Sequence, residues 1–204
     1  QELTRTSPGV RCVAHRLDVR DPAEVARVVQ AVVDTFDGLD VAICNAGVNR
    51  TAMAAYMSDE DWSVVIDTNL SGAFYVCREA LPSLLAQRWG RLLMIYSIGM
   101  WGTSGQVGYS ASKAGLMGLA QGLAKEYGAK GITANALVLG LFDTPMSRAT
   151  MPERGVKFWR ESCPAGRMGE LSEVSSAVLF LASRQAGFVN GQMLGIDGGL
   201  SWVP

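Results

Sequence analysis

The sequence has 204 residues and a mass of 21.8 kDa, which bounds it to one domain or two very small ones. Apolar residues make up 49% and charged residues 18%, below the ~25% of an average domain, so either much of the chain is core or part of its surface is buried against other subunits. Lys and Arg number 18 against 19 Asp and Glu, a net charge of −1; this gives no bulk electrostatic reason to bind nucleic acid or an anionic membrane, and no apolar run approaches the ~18 residues of a membrane span.

Val10–Leu17 follows a Pro8-Gly9 turn with β-branched and apolar residues and reads as a strand. Asp21-Pro22 has the form of an N-cap followed by N1. Val25, Val28, Val29, Val32 and Val33 then recur at helical spacing up to Gly38. Val41–Cys44 is a short apolar run suited to a strand buried on both faces. Ser58 with Asp61 opens a helical stretch to about Gln87, with Pro82 inside it and the polar patch Asp67-Thr68-Asn69-Leu70-Ser71-Gly72 interrupting it. Leu92–Ile95 reads as a strand, Tyr109–Tyr127 as a helix rich in Ala, Gly, Leu and Met, and Ile132–Leu139 as a strand. Residues 144–169, roughly 25 in all, are too many for an ordinary connection and are expected to form a substrate lid, with a merely structural excursion as the alternative. Ser172–Ser183 is predicted helical with Ser172 as its cap, and Gln192–Ile196 is a last strand before Asp197-Gly198-Gly199. Strands alternating with helices predict an α/β fold: a doubly wound, Rossmann-like parallel sheet, here with five strands. The 23 glycines keep no period and read as tight turns and close backbone approaches.

Cys12, Cys44, Cys77 and Cys163 form no Cys-x-x-Cys pair, and His15 is the only histidine. No metal site is therefore expected, and the thiols read as reduced, mostly buried groups of a cytoplasmic protein. His15 reads as structural or surface.

Tyr109-Ser110-Ala111-Ser112-Lys113 carries the chemistry. On a helix Tyr109 and Lys113 share one face, about 5–6 Å apart. An ammonium beside a phenol favours the phenolate, so Lys113 is expected to lower the Tyr109 pKa from ~10 and make it a general acid or base. Alone the spacing is weak evidence. Ser97, just past the 92–95 strand, can hold a substrate carbonyl oxygen against that phenol. Cys44-Asn45-Ala46-Gly47 ends the preceding strand in small residues where a flat ligand can approach the backbone.

With these residues the chain resembles the short-chain dehydrogenases/reductases from about Pro8 to Trp202. The matching motifs are Leu17-Asp18-Val19, Asn45-Ala46-Gly47, Asn69, Ser97, the Tyr109–Lys113 pentapeptide, Asn135-Ala136, Gly140, Asp143-Thr144-Pro145-Met146, Gly191-Gln192 and Asp197-Gly198-Gly199. The resemblance implies an NAD- or NADP-dependent oxidoreductase acting on a carbonyl or secondary alcohol, 3-oxoacyl-reductase-like or sugar/polyol-dehydrogenase-like. Tyr109 is then the proton donor or acceptor, Ser97 orients the reacting oxygen, Lys113 also holds the nicotinamide ribose, and Asn69 holds a relay water. Asp18 and Val19 are implied at the adenine, Asn45, Ala46 and Gly47 at the adenosine side, and Gly140, Phe142 and Thr144 at the nicotinamide end. Gly99, Met100, Met146 and Trp159 are candidate substrate contacts. Asp18, Asn69 and Thr144 also have structural readings, as a turn cap, a partner for backbone groups at a helix irregularity and a helix cap.

Three positions depart from the family pattern: Cys44 replaces a first asparagine, Leu139-Gly140 replaces Pro-Gly, and Phe142 replaces a β-branched aliphatic residue. The family's Thr-Gly-x-x-x-Gly-x-Gly turn is absent, and with Gln1 in place of Met the expectation is an N-terminally truncated domain lacking its first βαβ unit. Such a chain is expected to bind nicotinamide nucleotide poorly by itself. The alternative function is a catalytically inactive fragment or a non-catalytic binding or scaffold protein. Enoyl reductases of the superfamily are disfavoured because their Tyr–Lys spacing is longer. The resemblance implies a homo-oligomer, dimer or tetramer, paired through the helices near 60–87 and 109–127; Ala111, Gly115, Gly118 and Gly122 suit close packing there, or on the sheet alone.

Overall fold

The computed structural model describes residues 9–145, 147 and 153–202, with Trp202 by its backbone alone. In chain order these form α1 (Pro22–Phe36), β1 (Val41–Cys44), α2 (Asp59–Ile66), a π-helical turn (Asp67–Ser71), α3 (Gly72–Gln87), β2 (Gly90–Ser97), α4 (Val107–Tyr127), β3 (Ile132–Leu139), α5 (Glu153–Ser162), α6 (Leu171–Ala182) and β4 (Met193–Ile196).

The described strands make one parallel four-stranded sheet in the order β1-β2-β3-β4. β2 and β3 pair along their whole length, from Gly90 opposite Ile132 to Ser97 opposite Leu139. Their side chains alternate between two cores. Leu92, Met94 and Tyr96 of β2 pack with Ala134, Ala136 and Val138 of β3 under α3 and α4. Leu93 and Leu137 face the other way and pack against Leu181 of α6. Burial on both faces explains why these strands read as unbroken apolar runs. Helices on both faces of a parallel sheet are the doubly wound arrangement that the alternation of elements predicts.

Two helix caps are as the sequence indicates. The Asp21 carboxylate accepts from the N–H groups of Ala23 (2.8 Å) and Glu24 (3.2 Å), and the Ser58 hydroxyl accepts from Asp61 N (3.1 Å). A third differs: α6 starts at Leu171, not Ser172, with Glu170 as N-cap, and the Glu173 carboxylate accepts from Glu170 N at 2.8 Å. The long helical stretch is divided by the π turn, at the polar patch.

Residues 10–17 are not a strand. Val10 is 54% and Val13 45% exposed, and no described strand runs beside them. A β-strand exists only where its N–H and C=O groups find a ladder, so composition alone overstates this segment. β1 likewise is covered on one face, not two: Ala42 is buried while Ile43 is 45% exposed.

Gly140, just past β3, has a packing reason. A Cβ there would stand 2.6 Å from Asp197 Cα and 3.0 Å from Asp197 O, beyond the end of β4. Only a glycine lets the two backbones meet this closely.

Candidate active site

Parallel strands place their carboxyl ends on one edge of the sheet, and the connections leaving that edge carry the polar residues. Ser97 is the last residue of β2. Its Oγ accepts from Gly99 N at 3.1 Å, while Ser110 Oγ donates to Gly99 O at 2.7 Å. The turn of residues 98–101 is thereby pinned over the start of α4. A Cβ on Gly99 would stand 3.1 Å from Tyr109 Cε1 and 3.4 Å from Ser97 Oγ, so the turn lies close against the ring and a side chain there would press on it.

Tyr109 is in the first turn of α4 and Lys113 one turn further on, as helical spacing requires. Lys113 Nζ lies 5.6 Å from the Tyr109 ring centre and donates to Ile95 O at 2.8 Å. β1 pairs with β2 only as far as Cys44 opposite Met94, so Ile95 is the first residue of β2 with no β1 residue beside it. The lysine supplies a donor to its carbonyl.

Burial governs both titrating groups. It holds Lys113 down at about 8 rather than 10.5, with the Cys44 sulfur pulling the other way. It also pushes the Tyr109 phenol above its ordinary value, opposed by the Ser97 hydroxyl. This reverses the expectation that Lys113 lowers the tyrosine. The same desolvation that disfavours the ammonium disfavours the phenolate, and the lysine field does not offset it. Tyr109 is therefore a protonated phenol at neutral pH, poised as an acid.

Asn69 sits in the π turn and is 1% exposed. Its Oδ1 accepts from Val48 N at 2.8 Å; its Nδ2 donates to Val48 O and to Ser112 Oγ, both at 3.0 Å. Ser112 Oγ donates in turn to Tyr109 O at 2.8 Å. The amide thus ties the loop after β1 to the helix of Tyr109 and Lys113, and both of its protons are used. Sequence reasoning missed Ser112 as a linker. The available signal was a hydroxyl on the helix face shared with Leu116, Ala120 and Leu123.

Asn45 and Ala46 are exposed at the end of β1, and a Cβ on Gly47 would stand 3.4 Å from Asn69 Oδ1 and 3.8 Å from Lys113 Nζ. This brings the Asn45–Gly47 segment up to the lysine. Asp18 is exposed and clamped by Arg20, with Nη2 at 2.6 Å from Oδ2, which lowers its carboxyl to about 2. Val19 lies against Gly72, whose Cβ would stand 2.8 Å from Val19 Cγ2. Phe142 is buried and bridges to Gly169. Thr144 Oγ1 accepts from Ser147 N at 3.1 Å, which is the capping role. Met100 packs against the larger core. Trp159 lies in α5, edge-on to Phe158, and Met146 lies outside the described residues. His15 is exposed. Among the described residues no group of His, Cys, Asp and Glu could hold a metal ion.

The family described as Enoyl-(Acyl carrier protein) reductase matches residues 1–201. The 3-oxoacyl-[acyl-carrier-protein] reductase of Thermotoga maritima is 40% identical over 185 residues, covering 90% of this chain and 75% of the relative. Among solved structures, a gluconate 5-dehydrogenase from Burkholderia cenocepacia J2315, in complex with NADP and tartrate, has a TM-score of 0.88 at 30% identity, over 92% of this chain and 74% of that one. A protein assigned to the short-chain dehydrogenases/reductases from Burkholderia xenovorans has a TM-score of 0.91 at 32% identity, over 100% of this chain and 79% of that one.

Proposed function

Because the chain belongs to the short-chain dehydrogenase/reductase family, we propose that it reduces a ketone to a secondary alcohol, or the reverse, with NAD or NADP. The observation that carries this reading is the Ser97–Tyr109–Lys113 arrangement at the carboxyl edge of the sheet, with Lys113 buried and Ser97 and Tyr109 partly exposed. A neutral phenol next to a hydroxyl is suited to give a proton to a carbonyl oxygen and to hold the alkoxide that would otherwise form.

The residues present fit the nicotinamide–ribose end of the cofactor. An ammonium has three donors, and among the described residues Lys113 Nζ makes one hydrogen bond, to Ile95 O; the remaining two suit ribose hydroxyls. Asn45, Ala46 and Gly47 would line the adenosine side, Asp18 and Val19 the adenine, and Gly140, Phe142 and Thr144 the far end. When bound, the cofactor supplies or accepts the hydride. Ser97 Oγ orients the substrate oxygen, Tyr109 Oη gives or takes the proton, and Asn69 keeps the loop and helix in register and serves a water relay to Lys113.

Two substrate classes come from the relatives, a 3-oxoacyl thioester on acyl carrier protein and a sugar-acid ketone. We favour the first, since the identity is higher. A ketone is favoured over an enoyl group because the enoyl reductases of the superfamily space their Tyr–Lys pair more widely than Tyr109 and Lys113. Residues 144–169 are proposed as the cover of the substrate. Gly169 N donates to Leu141 O at 2.9 Å, so the excursion is closed at its base, and α5 within it has no buried residue. The test is oxidation of NADH and of NADPH, each raised until the rate no longer depends on it, with a 3-oxoacyl thioester and with a keto-sugar acid. The thioester is expected to be turned over, and Trp159→Ala to raise its KM more than it lowers kcat. Turnover of neither ketone would overturn the reading.

The cytoplasm, where nicotinamide nucleotides and reduced thiols are kept, is the proposed place of action. No helix of the described residues is long and apolar enough to cross a membrane. A homo-oligomer is proposed through α3 and α4. Cβ atoms on Gly118 and Gly122 would meet nothing within 4 Å, and Phe74 is 43% exposed, so these helices keep an open face. Light scattering should give a dimer or tetramer mass; a monomer at micromolar concentration would count against it.

A further inference from the structure

The sequence spaces no two cysteines as a pair, yet the fold brings two together. Cys44 ends β1, and Cys77 is in α3. Their sulfurs are 3.7 Å apart, and both are free thiols. Cys77 is 0% exposed, while Cys44 is half-buried and continues directly into the exposed Asn45 and Ala46. The pair therefore reaches from the core to the partly exposed end of β1, next to the segment assigned to the cofactor. Cys44 also acts electrostatically on Lys113, so its sulfur belongs to the surroundings of the proton-handling group.

We propose that Cys44 and Cys77 form a dithiol redox site, which a hydroperoxide converts to a disulfide that takes the cleft out of its active shape. The loss of activity rests on the function proposed above; the disulfide does not. In the first step the Cys44 sulfur attacks the peroxide, the O–O bond breaks, and Cys44 becomes a sulfenic acid while one water, or the alcohol of an organic peroxide, leaves. In the second step the Cys77 sulfur attacks the Cys44 sulfur. The S–S bond forms, the S–OH bond breaks, and hydroxide leaves as water with the Cys77 proton. Two thiols are oxidised and one peroxide is reduced.

Geometry assigns the two roles. Cys44 keeps some exposed surface that an oxidant can reach, whereas Cys77 has none. The hydrogen bond with Cys44 and burial push the Cys77 thiol up, which keeps it protonated and unreactive until a sulfenic acid is next to it. Closing the bond brings the sulfurs from 3.7 Å to about 2.05 Å. Cys44 is the side that can yield. It is the last β1 residue paired with β2, and its other tie is a hydrogen bond of 3.6 Å to Ala73 O. Drawing Cys44 towards α3 carries Asn45–Gly47 with it, and Gly47 is the residue set against Asn69 and Lys113.

The test treats the whole chain with hydrogen peroxide, in a Cys12→Ser background that removes the exposed thiol, and follows peptide mass and reductase rate together. The expected product is a Cys44–Cys77 linked peptide lacking two hydrogens, with a rate lower by about tenfold or more that dithiothreitol restores. Cys77→Ala should keep the untreated rate, and both Cys77→Ala and Cys44→Ala should lose the reversible inhibition, each judged against its own untreated rate. Over-oxidation of Cys44 with Cys77 still open to alkylation after denaturation would overturn the proposal, as would equal, irreversible inactivation of the parent and both variants. A linked peptide in a protein that reduces no ketone would leave the dithiol site standing and remove the catalytic reading.

Discussion

Tyr109→Phe is expected to lower kcat/KM for ketone reduction by about 10³-fold, or about 4 kcal/mol of transition-state stabilisation. The substitution keeps the ring on which the 98–101 turn rests and removes only the hydroxyl. Burial already holds that phenol neutral at neutral pH, so no charge is gained or lost on folding, and the melting temperature should stay within a few degrees of the parent. The parent should keep its reduction rate up to neutral pH, lose part of it as Lys113 gives up its proton near about 8, and lose the rest as the phenol ionises, above the ordinary tyrosine range. Alcohol oxidation should rise over the same limb, because there the ionised phenol is the competent form. A loss below tenfold, or an unchanged pH profile in the variant, would place the proton donor elsewhere.

Lys113→Met should remove roughly 10²- to 10³-fold of kcat/KM while leaving the fold as stable or more so at pH 7. The two effects part because the ammonium is buried with one hydrogen bond. Its pKa is about 8 in the folded chain against 10.5 unfolded. Below pH 8 both states are protonated and the burial penalty is fully present. Between those values the unfolded chain still holds a proton that the folded chain has released, so stability rises with pH. Relative to Lys113→Met, the parent should gain on the order of 3 kcal/mol across that window. Urea unfolding from pH 7 to 10, short of general tyrosine ionisation, reads this directly. A parent–variant difference that does not change with pH would mean the lysine is not desolvated.

The architecture was legible where local pattern and tertiary setting agree. β2, β3 and α4 are long, and their apolar periodicity is satisfied by helices that do cover them. Asp21 and Ser58 cap because capping needs only the next turn. The family resemblance located Ser97, Tyr109 and Lys113, and the fold puts them on one edge. What stayed illegible depends on neighbours distant in the chain. Residues 10–17 have strand composition but no ladder. The direction of the Tyr109 shift follows from how deeply α4 is buried, which no spacing reveals. Cys44 and Cys77 meet only because α3 crosses β1, and Ser112 matters only because Asn69 comes to it from a separate helix.

The π turn at Asp67–Ser71 has a consequence for chain length. An α-helix turns about 100° per residue, and a π turn spends one residue more per turn than the helices beside it. That surplus sets the phase between α2, which buries Val65, and α3, which buries Cys77 and Leu84. It also lets Asn69 point inward between them. Removing a single residue there would continue one regular helix, rotate everything on one side by about a quarter turn, and swing Asn69 off Val48 and Ser112. The stretch should therefore accept changes of side chain far more readily than a change in its count of residues, much as a gear tolerates wear on its teeth but not a missing tooth.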